Sequence, residues 1–334
     1  MADIHIFRID HHGSLIRPPE LIVAREQHAA GALDLAGLRA VEDQAIRDVL
    51  LLQRKLRVTQ VTDGQFRRGR VRDAAMLAAG RAGIVPEEPT TAVSFVEEAA
   101  FVMGETDWAV KQQLPSPAHL ARQLWTEDSA HASPVALGHA LAEVWREELR
   151  AMLDAGVRLV QFNNPDYAAY YAGDAKEVGG IGVLDAIAID SAVLDGIERP
   201  EDARIAMCVD QGDHQGEVDE QVAWEVLGEL PYDRFMFAYC TDALVEQQLL
   251  QFVPEGKAAV LGIVDPLVAE LEDIDAIMTR MDAAFELKGL DELAISPSRG
   301  FQHAVGAPTL TLDEQKHKVT HVETVARMCW GNEL

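Results

Sequence analysis

The sequence predicts a single (β/α)8 TIM barrel over residues 1–334, with an excursion around residues 70–108. Three observations lead there. Short β-branched runs alternate with stretches of helical apolar spacing, as βα units require. Eight such runs can be counted, enough to close a parallel sheet. Polar, glycine-containing turns follow the runs, where barrels of about 200–400 residues carry their reacting groups.

Ile4–Asp10 reads as the first strand, running into His11-His12-Gly13-Ser14. After Pro18-Pro19 a helix begins near Glu20. A second runs from about Leu35 to Leu56, with Leu38, Val41, Ile46, Val49, Leu50 and Leu52 near helical spacing. Val58–Thr62 is the second strand, closed by Asp63-Gly64-Gln65-Phe66-Arg67-Arg68. The excursion reads as a helix followed by a hairpin around Thr91–Met103. Trp108–Leu114 is the third strand and ends at Pro115-Ser116-Pro117.

Ser133 with Pro134 behind it marks a capped helix start, and Gly156 marks the stop. Val157–Phe162 is the fourth strand, reaching Asn163-Asn164-Pro165-Asp166. A glycine-rich loop and a helix near 183–196 precede the fifth, Ala203–Cys208. A helix around 218–230 leads to the sixth, Arg234–Cys240, and Lys257–Val264 is the seventh. A helix at about 271–286 returns to the eighth strand, which ends at Ser296-Pro297 and turns through Ser298-Arg299-Gly300. Thr311 and Glu314 make a capping-box signature for a final helix.

Composition bounds the function. The formal net charge of -26 argues against nucleic acid, since no basic stripe meets phosphates. No apolar run suits a membrane span, and the first residues lack a signal core, so no membrane partner is expected. Three cysteines make a disulfide framework unexpected, and the default compartment is a reducing cytoplasm. A small-molecule substrate is expected; a homo-oligomer stays open.

Barrel closure would gather the strand-end polar groups. His11 and His12 suit a metal or a general base, since imidazole titrates near neutrality, and equally suit a backbone-bonded loop. Asn163 and Asn164 both donate and accept, which fits a carbonyl or carboxylate, although turn chemistry also explains them. Cys208 and Cys240 could share a soft metal, with Asp210 or His214 beside them, or serve as small core residues. Lys111 and Gln113 complete the third strand's end.

The chain resembles the C-terminal catalytic barrel of cobalamin-independent methionine synthase and its short stand-alone relatives, and more distantly uroporphyrinogen decarboxylase. The resemblance rests on His12-Gly13-Ser14 with Arg17-Pro18, Thr62-Asp63-Gly64-Gln65 with Arg67-Arg68, and Gln161-Phe162-Asn163-Asn164-Pro165. Asp233–Cys240, Val260–Val264 and Ser296-Pro297-Ser298-Arg299-Gly300-Phe301 follow in the same order. It implies a zinc held by His-x-Cys after strand five, Glu after strand six and Cys before Gly-Phe after strand eight. The matching positions here are Ala206 and Cys208, or Cys208 and Asp210, then Ala238 and Arg299. A guanidinium cannot ligate a cation and stays charged. The carboxylates that the resemblance expects around a substrate ammonium appear as Gln65 and Asn163.

The expectation is therefore an enzyme, lyase or hydrolase, acting on a small oxygen-bearing anion by zinc-independent acid–base chemistry, with no cofactor. Catalysis is assigned to His12, His214, Arg299, Asp210 and Tyr239. Substrate contacts are assigned to His11, Ser14, Gln65, Arg67, Asn163, Asn164, Cys240 and His303. The alternatives are methyl or alkyl transfer to a thiol through zinc on Cys208, Asp210 and Cys240, and a non-catalytic binding barrel.

Overall fold

The computed structural model describes residues 7–87, 90–212, 217–239, 243–302, 304–306 and 310–331. Its helices are α1 Pro19–Ala29, α2 Leu35–Lys55, α3 Asp73–Arg81, α4 Phe95–Glu105, α5 Pro117–Leu124 and α6 Pro134–Ala155. They continue as α7 Tyr167–Tyr171, α8 Val183–Ala192, α9 Glu220–Glu229, α10 Ala243–Phe252, α11 Ile274–Leu287 and α12 Leu312–Trp330. The strands are β1 Lys111–Pro115, β2 Leu159–Asn163, β3 Glu177–Val178, β4 Ile181–Gly182, β5 Arg204–Cys208, β6 Arg234–Ala238, β7 Ala258–Val264 and β8 Leu293–Pro297. The fold is of the α/β barrel class. Its main sheet is parallel and six-stranded, in the order β1-β2-β5-β6-β7-β8, while β3 and β4 form a small antiparallel hairpin.

Two of the eight expected strands contract. Only the end of Ile4–Asp10 lies within the described residues, where Ile9 makes an isolated parallel bridge to Ile295. Phe7 adopts φ 48, so the chain turns just before that bridge. The second expected strand reduces to a bridge between Val61 and Val110, bounded by positive φ at Arg57 and Gly64. Thr59 N donates to Ile9 O at 3.3 Å and joins the two segments. Both edges of the six-stranded sheet thus bond to short segments that also bond to each other.

The hairpin expected around Thr91–Met103 is instead α4. Ser94 and Glu97 form a reciprocal capping box, and Phe95, Ala99 and Val102 then fall on one buried face. The β-branched residues before Ser94 belong to its approach. The Ser133 cap, the left-handed Gly156 stop and the Thr311–Glu314 box form as expected.

Strand parity decides what each residue faces. Cys208, Met236, Val260 and Ala294 pack on one another as an inner cluster. Phe162, Met207, Phe235, Phe237 and Leu261 join the larger core between sheet and helices. Phe7, Leu159 and Ala206 form a further buried plug. Among the described residues no helix is long and apolar enough to cross a membrane.

Candidate active site

Beneath the strand ends lies a buried ionic layer. Asp10 sits beside β1 and β6, and its Oδ1 accepts from Lys111 Nζ at 2.5 Å and His11 N at 2.7 Å. The Gln60 amide donates to the same oxygen, and Arg234 Nη2 lies 3.5 Å from Oδ2. Burial works to raise the Asp10 carboxyl, but Lys111 and Arg234 outweigh it and hold it below the usual range. Lys111 also donates to His11 O at 2.7 Å. Two cations therefore face one carboxylate here. Lys111 and Arg234 have the same strand parity as the inner cluster, a signal that the strand-end reading passed over.

The next layer is made of amides and one imidazole. Gln161 Nε2 lies 3.3 Å from His12 Nδ1 and donates to Asn163 Oδ1 at 2.6 Å. With Nδ1 accepting, a neutral His12 carries its proton on Nε2. Burial, then Lys111, pushes this imidazole down to about 3, and Arg299 adds to the effect. That corrects the expectation of a ring titrating near neutrality. Gln65, at φ 60, donates through Nε2 to Gln113 Oε1. Gln161 and Gln113 belong to this layer, although sequence reasoning gave neither of them a role.

Across the mouth, Asp210 Oδ1 accepts from Gly212 N at 2.7 Å, and the Tyr171 hydroxyl lies beside it. Cys208 Sγ donates to Asp210 O at 3.5 Å. Arg299 is half-buried and donates to Gln211 O. His12, Gln65, Asn163, Asp210 and Arg299 are thus carried by the ends of five segments.

The last loop is fixed by close packing. Phe301 N donates to Ser14 O at 3.0 Å, and a Cβ on Gly300 would overlap Ser14 Oγ, so a larger residue there would displace that hydroxyl. Val305 N donates to Gly69 O at 2.9 Å. Arg17 ties three loops together by donating to the carbonyls of Gln65, Arg68 and Gln302. Ser14 is therefore a contact of the loop that carries Arg299.

Four expected site residues point elsewhere. Arg67 pairs with Asp43 at 2.6 Å and lies over Phe101, so its charge is spent on the helical side. Tyr239 continues the outward parity of Phe235 and Phe237, and its hydroxyl donates to Arg280 O at 3.0 Å on α11. Asn164 Nδ2 donates to Asp190 at 2.8 Å, in a buried hub with Tyr167. His11 accepts from Gly13 N at 3.1 Å and borders an apolar cavity of about 20 Å³ with Leu52, Val319 and Val322, behind the sheet. Burial pushes its imidazole down to about 4, with Lys111 helping. His214, Cys240 and His303 lie outside the described residues.

Among the described residues no group of three or more His, Cys, Asp or Glu side chains could hold a metal. Burial, then the Asp210 carboxylate, pushes the Cys208 thiol up to about 12, so without a metal it is a neutral thiol. Ala238 offers no donor and Arg299 offers only positive charge.

No family model matches the chain. The Bacillus subtilis protein YxjH is 27% identical over 97% of this chain and 95% of its own length. A structure from Listeria monocytogenes, provisionally named a vitamin-B12-independent methionine synthase, superposes with a TM-score of 0.75 at 24% identity, over 98% of both chains. A B12-independent methionine synthase from a Shewanella species, solved with selenomethionine, gives 0.72 at 17% identity over 96% of this chain and 97% of its own. The chain shares the fold of both solved proteins nearly end to end.

Proposed function

We propose that the chain is a divergent methionine-synthase-like enzyme acting on a small, oxygen-bearing anion by zinc-independent acid–base chemistry, as a lyase or hydrolase. The observation that carries this reading is Arg299, a half-buried guanidinium just past the end of β8 that donates to Gln211 O beside Asp210. A fixed cation beside amides suits a carboxylate and repels a divalent ion. His12 acts as a neutral donor, its Nε2–H bonding to an oxygen that gains charge, as a depressed imidazole can. Asp210 takes the proton, and Asn163 and Gln65 orient the substrate. The reading calls for no cofactor and treats residues 1–334 as one cytoplasmic barrel domain, open to self-association.

A second reading is methyl or alkyl transfer to a thiol, favoured by the names of the solved neighbours and by Cys208 near the mouth. It needs zinc on Cys208, Asp210 and Cys240 with a histidine. Metal analysis of protein purified without chelator separates the two: stoichiometric zinc supports transfer, and metal-free protein that turns over carboxylated compounds supports acid–base chemistry. A non-catalytic barrel would show saturable binding without turnover in the same screen.

A further inference from the structure

Two amide acceptors beside the His12–Gly13 turn are buried, and nothing among the described residues satisfies them. Gln65 Oε1 and Gln161 Oε1 are both buried without a hydrogen-bond partner, while their amide nitrogens are committed to Gln113 and to His12 and Asn163. Gln65 and Gln161 are 2% and 0% exposed. Both bracket the His12–Gly13 turn: Gln161 bonds the His12 ring, and Gln65 Nε2 would lie 3.4 Å from a Cβ placed on Gly13. A buried amide oxygen left without a donor is costly, so a ligand that reaches it is selected for a donor. An ammonium is the poorer choice, because these amides carry no negative charge to pair with it. A hydroxyl donates without adding charge.

We infer that the ligand is a small hydroxy carboxylate, its carboxylate facing Arg299 and its hydroxyl donating to the amide oxygens of Gln65 and Gln161. The inference rests on the anionic reading above and narrows its substrate class. It gives Gln161 a direct contact with the ligand. A site that bonds a substrate hydroxyl discriminates strongly against the analogue lacking it, because the polar group is then left unpaired.

The test is calorimetric titration of the full chain with two matched sets: lactate, propionate and alanine, then malate, succinate and aspartate. The hydroxy acid of at least one set should bind at least tenfold tighter than its deoxy and amino counterparts. Gln65→Glu should reverse the order in that set, favouring the amino acid, with circular dichroism confirming that the variant is folded. Equal binding of lactate with propionate, and of malate with succinate, overturns the hydroxyl inference and leaves the anionic reading standing. Tighter binding of the amino acids by the unaltered protein also overturns it. If neither set binds, the anionic reading fails and this inference fails with it.

Discussion

Lys111 Nζ lies 2.5 Å from Asp10 Oδ1, and neither side chain is exposed. Removing one member strands the other's charge in a dry interior, although Arg234 remains near Asp10. Lys111→Met should cost about 3–5 kcal/mol in urea unfolding. The double variant Asp10→Asn with Lys111→Met should cost less than the sum of the single changes.

Gly300→Ala should destabilise the protein by about 1–3 kcal/mol, the usual range for overpacking. The overlap is with the Ser14 hydroxyl, so adding Ser14→Ala should recover much of that loss. A melting-temperature comparison of the four proteins checks this. Failure of the second substitution to rescue would place the constraint in the backbone of the last loop.

Arg299→Ala should abolish turnover of the carboxylated substrate while circular dichroism shows the fold intact. Unchanged kinetics would remove Arg299 from the mechanism. Arg299→Cys should not bring methionine synthesis, because Ala238 still offers no ligand.

Tyr239→Phe should leave kcat and KM unaltered. The hydroxyl bonds Arg280 O on the helical side, so its loss should cost about 1 kcal/mol of stability and no activity. A fall in kcat at constant stability would return the phenol to the chemistry.

Burial pushes the Asp190 carboxyl from its ordinary 3.8 up to about 6, against hydrogen bonds from Asn164, Ala118 and Tyr167. The folded chain then holds this proton more tightly than the unfolded one. The resulting contribution is complete below about pH 4 and is lost as pH rises through about 6, by about 3 kcal/mol. Asp190→Asn mimics the protonated acid, so its stability relative to the unaltered protein should improve between pH 4 and pH 7. Parallel urea titrations at the two pH values check the sign.

Much of the fold was legible because its cues are local. Strands β5 to β8 lie close to their apolar runs, and Ser133, Gly156 and Thr311 mark helix ends by their own hydrogen bonds and dihedrals. At α4 the β-branched Thr90, Thr91 and Val93 stand just before a Ser-x-x-Glu box, and the box decides the structure. For the site, Arg299, Asn163 and Asp210 could be placed from strand ends alone. Tyr239 was legible in principle, since it shares parity with Phe235 and Phe237. Neither the destination of Arg67 nor the depressed imidazole of His12 could be read, since each depends on long-range partners: Asp43 and Phe101 for one, burial and Lys111 for the other.

The half-buried Arg299 guanidinium sits in a chain whose formal net charge is -26. An incoming anion meets repulsion outside before it meets attraction within. Dissolved salt screens the exterior far more than the dry interior. Association should therefore quicken with ionic strength, opposite to the behaviour of sites that steer their ligands electrostatically from bulk solvent.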